Sequence, residues 1–163
     1  MTKLKRAYLG LGGNLDDPIQ QIVDARTQII ALSCVHDWQC SSMYESSPVG
    51  YSDQPNFINC VLAVDIYTDA PEFFSQLQFI ETNLGRIRDS SNQNAPRKID
   101  IDFLLLLDQG QASCQIETQE LIIPHPRMSQ RLFVLEPLSE LGLELERDEN
   151  VDFTQQKIIQ LTV

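Results

Sequence analysis

A chain of 163 residues, 42% hydrophobic and 21% charged, is long enough to bury one proper core and has the composition of an ordinary globular protein, so residues 1–163 read as a single domain. Its formal charge of −11 opposes general affinity for nucleic acid or anionic lipid, and no apolar run reaches the ~20 residues that span a bilayer. Cys34, Cys40, Cys60 and Cys114 lack metal-ligand spacing and no signal-peptide pattern precedes the first strand pattern, so a reducing cytoplasm is expected and a zinc site is not.

In chain order, residues 5–12 read as a strand, after which Asp17 and Pro18 have the chemistry of a helix N-cap and first-turn pair. Ile19, Ile22, Val23, Ile29, Ile30 and Leu32 then recur at helical spacing. Residues 35–46 and 57–67 read as two strands, the second with Ile58, Cys60, Leu62, Val64 and Ile66 on one face. Between them, SPVGYSDQPN is a turn-rich loop longer than a simple hairpin needs. Asp69 and Pro71 open a second helix carrying Phe73, Leu77, Ile80 and Leu84, and Gly85 stops it. The strand DIDF follows, giving the order strand, helix, strand, strand, helix, strand of a split βαβ core. Residues 113–123 add a hairpin, 126–134 a short helix ended by Pro137, and 154–161 a terminal helix.

The stretch PRKIDIDFLLLL, residues 96–107, carries the sharpest signal. Strand side chains alternate at ~3.3 Å per residue, so Asp100 and Asp102 share one face roughly 7 Å apart, with Leu104 and Leu106 beyond them. Ile99, Ile101, Phe103, Leu105 and Leu107 fill the other face, which describes a central strand buried on both sides. Two carboxylates at its mouth repel and lose hydration, a cost offset by a shared cation or by arginines; the pair alone is equally compatible with a hydrated strand end. Six of the twelve Lys and Arg residues (Arg86, Arg88, Arg97, Lys98, Arg127 and Arg131) fall between Arg86 and Arg131, bracketing the pair in forks suited to phosphate oxygens or to surface ion pairs.

Other features are less specific. LGLGGNL fails as a dinucleotide fingerprint, since a GxGxxG match starting at Gly10 needs glycine where Leu15 stands, and no Walker pattern occurs. Phosphate chemistry here therefore falls to arginines and metal. Gln78 and Glu81, three apart on the second helix, share a face away from the apolar stripe and taken alone read as solvated. His125 stands between two prolines, which fixes its backbone. Phe57 and Phe133 flank turn or helix-start segments and taken alone read as core residues.

With these pieces placed, the chain resembles the 6-hydroxymethyl-7,8-dihydropterin pyrophosphokinase family nearly end to end. The resemblance rests on GLGGNL, SSMYESSPVGYSDQPNFINCV, QFIETNLGRIR, APRKIDIDFL and IIPHPRMSQRLFVLEPL, of which PRxxDxD is the most specific. It implies an α+β fold with a ferredoxin-like βαββαβ core in α/β/α layers, an added hairpin and C-terminal helices. It also implies transfer of a diphosphate from ATP to the pterin hydroxymethyl group in folate biosynthesis. By that resemblance Asp100 and Asp102 hold two Mg2+ ions, and Arg86 and Arg97 grip the transferring phosphates. Gln78, Glu81, Arg88, His125 and Arg131 hold ATP. Asn59 bonds the pterin edge, Phe57 and Phe133 sandwich the ring, and Gly12, Ser46, Ser47, Pro48 and Val49 line it. A monomer in the cytoplasm, with no nucleic-acid or membrane partner, completes the expectation.

One segment departs from the family pattern. Where members carry a basic residue, an aromatic and glycine before the Pro-Arg, this chain has Gln93, Asn94 and Ala95, in a loop one residue longer. Phe103 is also bulkier than the usual aliphatic. The alternative that these departures keep open is a pterin- or nucleotide-binding paralogue with weakened or lost catalysis.

Overall fold

The computed structural model describes residues 2–50, 52–87, 91, 94–109 and 111–162. The strands among these residues are β1 Lys5–Gly13, β2 Val35–Cys40, β3 Tyr44–Ser46, β4 Phe57–Ile66, β5 Asp100–Leu107, β6 Ile116–Glu117, β7 Ile122–Ile123 and β8 Ile158–Gln160. The helices are α1 Pro18–Ile30, α2 Ala70–Asn83 and α3 Leu132–Glu140, with 3-10 turns at Met128–Gln130 and Phe153–Gln155. Local chemistry sets the helix ends as expected. The Asp17 side chain accepts from Gln20 N beside Pro18, the Asp69 side chain accepts from Glu72 N, and Gly85, at φ +89°, follows the end of α2.

The main sheet runs β5-β1-β4-β3-β8, with β2 pairing the same edge of β4 as β3, and its ladders are antiparallel. Counting β2 and β3 as one interrupted strand, this is the ferredoxin-like βαββαβ order. One face buries Leu9, Leu11, Leu62 and Phe103 against Ile22 and Ile29 of α1 and Phe73 and Leu77 of α2. The other buries Tyr8, Val61 and Leu105 against Val134 and Leu138 of α3. The α+β fold in α/β/α layers is therefore observed, and the β6-β7 pairing supplies the expected hairpin. Among the described residues, no helix is long and apolar enough to cross a membrane.

Four local expectations are corrected. The strand read over 35–46 breaks into β2 and β3. Cys40 pairs Leu62 but Tyr44 pairs Asn59, so three residues of one strand face two of the other. The ladder fails there because Ser41 Oγ takes the Val61 N–H at 2.9 Å, while Ser42 N donates to the Glu140 carboxylate at 2.9 Å. In β5 the alternation holds only to Leu104, which lies on the α3 side with the aspartates. Leu9 pairs Phe103 and Tyr8 pairs Leu105, so Leu104 is an extra, bulged residue, after which Leu106 faces the α1/α2 layer and Leu105 and Leu107 face α3.

Pro137 sits inside α3 rather than ending the helix. It forfeits one backbone bond, but Leu141 N still reaches Pro137 O at 3.2 Å, and burial of Val134, Leu135 and Leu138 holds the helix on the sheet. Finally, the terminal helix read over 154–161 is a 3-10 turn followed by β8, in which Ser46 pairs Ile158, Glu45 pairs Ile159 and Tyr44 pairs Gln160. The outer edge of β3 would otherwise present unpaired N–H and C=O groups, and satisfying them outweighs a weak local helix preference.

Candidate active site

The mouth of β5 lies against the glycines of β1, with Asp100 opposite Gly12 and Asp102 opposite Gly10. Both aspartates point to the sheet face that α3 covers. Arg86 Nη1 lies 3.1 Å from Asp100 Oδ1, and Arg97 Nη1 lies 3.0 Å from Oδ2, so two guanidinium groups grip one carboxylate. Arg86 Nη1 also donates to Ile99 O at 3.1 Å, whereas its Nε is buried with no partner among the described residues. Arg97 is braced by Nε donating to Ala95 O at 3.0 Å.

Glu81 overturns the expectation of a solvated helix face. It is 2% exposed, and its Oε2 accepts the Ile101 N–H at 2.6 Å, between the two aspartates. The helix thus delivers a third carboxylate to the strand mouth. Burial, then the Asp100 charge, pushes the Asp102 carboxyl up to about 7 against the pull of Arg131, with Glu81 adding to the rise. Asp100, Asp102, Glu81 and His125 share a cavity of about 260 Å³. His125 is anchored by its N–H to Leu104 O at 2.8 Å, and its Nδ1 accepts from Arg127 N at 3.2 Å. Burial, then Arg131 and Arg127, lower it to about 4, so the neutral ring offers Nε2–H to a ligand. Burial also lowers the Arg131 pKa. Gln78 is half-buried one turn before Glu81, and Arg88 lies outside the described residues.

A second cavity, about 340 Å³, collects Ser46, Ser47, Pro48, Val49 and Phe133. Phe57, Asn59 and Gly12 do not line it but adjoin it through the sheet: Ser46 pairs Phe57, Gly12 pairs Asn59, and Asn59 Nδ2 donates to Ser46 Oγ at 3.2 Å. A Cβ on Gly12 would stand 2.2 Å from Asn59 Oδ1, so that glycine makes room for the amide. Phe57 and Phe133 each carry a guanidinium on the ring, Arg97 at 5.3 Å and Arg131 at 5.5 Å, which ties the aromatic side to the arginine side.

Asn14 and Gln54 lie inside the motifs that stand out in the sequence, but nothing in the sequence gives either a role. Asn14 is 4% exposed and exchanges bonds with Arg97: Asn14 N donates to Arg97 O at 2.9 Å, and Arg97 N donates to Asn14 Oδ1 at 3.0 Å. Asn14 Nδ2 donates to Gln54 Oε1 at 2.8 Å, and Gln54 Nε2 donates to Asn94 O at 2.8 Å. One chain of amides therefore joins the end of β1, the loop before β4 and the segment before Arg97.

A ferredoxin-like sheet whose strand mouth gathers acidic and arginine side chains beside an aromatic- and amide-lined slot fits the class of transferases that act on a nucleotide and a flat ring. The family model described as 7,8-dihydro-6-hydroxymethylpterin-pyrophosphokinase matches residues 8–143. The chain belongs to this family, and its activity is that of a pyrophosphokinase in folate biosynthesis. It is 36% identical over 151 residues to 2-amino-4-hydroxy-6-hydroxymethyldihydropteridine pyrophosphokinase of Bacillus subtilis, covering 93% of this chain and 86% of that protein. The Haemophilus influenzae protein of the same name is 35% identical, covering 85% and 82%. A crystal structure of Plasmodium falciparum HPPK-DHPS with pteroate superposes at TM-score 0.62 and 14% identity, covering 94% of this chain and 42% of that one, and shares the fold.

Proposed function

We propose that the two cavities and the arginines between them divide the transfer of diphosphate from ATP to the hydroxymethyl oxygen of 6-hydroxymethyl-7,8-dihydropterin, with release of AMP. The observation that carries the division of labour is the buried Arg86 Nε, which has no partner among the described residues, beside an arginine-gripped Asp100. A buried guanidinium donor left unpaired costs about 1–3 kcal/mol, which an oxyanion arriving at the strand mouth relieves.

Mg2+ fits the donors present. Asp100 and Asp102 offer two carboxylates on one strand face. That is the chemistry of a cation held by one or two carboxylates, with phosphate and water completing the shell. Two such ions, bound with ATP, would neutralise phosphate charge and keep the β-phosphorus open to in-line attack.

The chain's own groups do the rest. Arg86 and Arg97 hold the transferring phosphates, and Arg131 with His125 Nε2–H holds the nucleotide, beside Gln78, Glu81 and Arg88. Glu81 also ties α2 to the strand mouth by accepting the Ile101 N–H between the two aspartates. Asn59 bonds the pterin edge, Phe57 and Phe133 stack on the ring, and Gly12, Ser46, Ser47, Pro48 and Val49 line the slot. The acidic charge of −11 supports a protein that does not bind nucleic acid, and the free cysteines support a reducing cytoplasm. A monomer is the expected state, which sedimentation would test.

The experiment is AMP release from ATP and the pterin alcohol, titrated with Mg2+. Turnover should need both substrates and stop on chelation. Turnover that survives chelation would remove the metal from the reading, and absence of AMP in a folded protein would favour the noncatalytic paralogue.

A further inference from the structure

Helix α3 opens in an unusual way. Its N-cap position is Arg131, whose side chain makes no capping bond and lies over the Phe133 ring instead. The first helical N–H groups have no partner within the helix, and Ser, Thr, Asp or Asn ordinarily supplies one. Here the partner comes from 24 residues downstream. Leu132 N donates to Gln156 Oε1 at 2.9 Å, and Gln156 Nε2 donates back to Gln130 O at 2.8 Å. One amide therefore closes both sides of the turn that presents Arg131 and Phe133.

The same short segment holds the opposite wall of the slot. Ser47 N donates to Lys157 O at 3.2 Å, Ser46 pairs Ile158, and Leu161 N donates to Met43 O at 2.8 Å. Gln156, Lys157 and Ile158 line the 340 Å³ cavity with Ser46, Val49 and Phe133. The segment thus bonds to both sides of one cavity, and it lies beyond residues 8–143, the part that the family model matches.

We infer that the C-terminal segment is a brace for the pterin slot, and that Gln156 is a positioning residue for the reaction, capping α3 from outside so that the N-cap place is free for Arg131. This rests on the proposed function, since it takes Ser46 to Val49 and Phe133 as the pterin's walls. Loss of the amide lets the start of α3 move relative to the loop after β3. The pterin, held between them, feels that change more than ATP, of whose proposed contacts only Arg131 lies at the start of α3.

The test compares Gln156→Met, of similar size without an amide, with Gln156→Glu, which keeps an oxygen for Leu132 N and adds a charge favourable at a helix N-terminus but gives up the bond to Gln130 O. The Met variant should raise the pterin KM, and the pterin Kd measured by calorimetry with a nonhydrolysable ATP analogue, about fivefold to tenfold. ATP KM should stay within about twofold, and the Glu variant should recover part of the loss. Unchanged pterin constants, or pterin and ATP constants rising together in step with a lost folded fraction, would overturn the brace. Wild-type AMP release tests the underlying reading separately. If the wild type releases none, the brace is still decided by hydrogen exchange in the ligand-free Met variant: faster exchange at the Leu132 and Ser47 amides supports it, and unchanged exchange overturns it.

Discussion

Replacing Gly13 by alanine should damage this protein far more than the same change at Gly10, three residues earlier on the same strand. A Cβ at Gly13 would stand 2.2 Å from Lys98 O, 2.9 Å from Lys98 C and 3.2 Å from Arg97 O. All three are backbone atoms of the segment entering β5, so no rotamer change relieves the contact, and the two chains must part by about 1 Å to reach ordinary van der Waals distance. That movement strains the Asn14 N to Arg97 O bond of 2.9 Å and the Arg97 N to Asn14 Oδ1 bond of 3.0 Å. Overpacking costs about 1–3 kcal/mol and each of the two weakened buried hydrogen bonds about 1, giving a loss of about 3–5 kcal/mol, or roughly 10 °C for a chain of this size. Because Arg97 and Asp100 ride on the displaced segment, turnover of the surviving folded protein should fall about a hundredfold. At Gly10 the nearest atom to a Cβ is Leu104 Cδ1 at 3.5 Å, an ordinary contact, so Gly10→Ala should change stability by less than about 1 kcal/mol. Urea melts of the two variants beside the wild type, with AMP release on the folded fraction, decide the matter. Equal stability and equal turnover for the Gly13 and Gly10 variants would refute the close-approach argument.

Asp100 and Asp102 should separate in stability although both variants lose activity. Asp102→Asn removes a carboxylate that burial and Asp100 disfavour and should raise the ligand-free melting temperature by ~3 °C, whereas Asp100→Asn strips a partner from Arg86 and Arg97 and should lower it; turnover should fall by orders of magnitude in both, and melts shifted in the same direction would contradict this. Partial burial raises the Glu140 carboxyl, but bonds from Ser42 Oγ, Tyr44 Oη and Ser42 N outweigh it and leave the pKa below the ordinary 4.5. A depressed folded value means the stability is fully present above pH 4.5 and lost as pH falls through the folded value, so Glu140→Gln should melt earlier than wild type at pH 7, by about 1 kcal/mol, with the gap closing in acid; a gap independent of pH would refute it. In the departing loop, where Gln93 lies outside the described residues, Gln93→Arg with Asn94→Trp should restore one phosphate contact and one stacking surface and tighten ATP binding about tenfold in calorimetry with little change in melting temperature, and a neutral result would mean that the longer loop makes its contacts differently.

Much of the fold is legible in the sequence because its signals are local. Asp17 with Pro18 and Asp69 with Pro71 announce helix starts through the chemistry of unpaired N–H groups, and the alternation of Ile58 to Ile66 announces a strand. The departures share a cause: most turn on a partner distant in sequence. Nothing in residues 35–46 says that Glu140 takes the Ser42 N–H, and nothing in KIIQL says that the edge of β3 lacks a neighbour. The bulge at Leu104 is equally silent, because five consecutive apolar residues satisfy either face.

The candidate site divides along the same line. The aspartate pair, the arginines and the aromatics are legible as residue types, since charge beside a core strand and phosphate-matching forks are unusual enough to stand out. Groups that only hold those residues are not. Glu81 looks like a solvated side chain from its own helix, and only the fold puts its oxygen on Ile101 N. Asn14 and Gln54 lie 40 residues apart, and their bond forms because β1 and the loop before β4 end side by side. Arg131 is the sharpest case. A helix start without a capping side chain reads in sequence as a weak start, yet the cap exists and comes from Gln156, in a segment whose own residues suggest a helix. A sequence therefore shows which residues can do chemistry more readily than which residues hold them in place, because supporting contacts are made by ordinary amides and carboxylates whose partners only the fold selects.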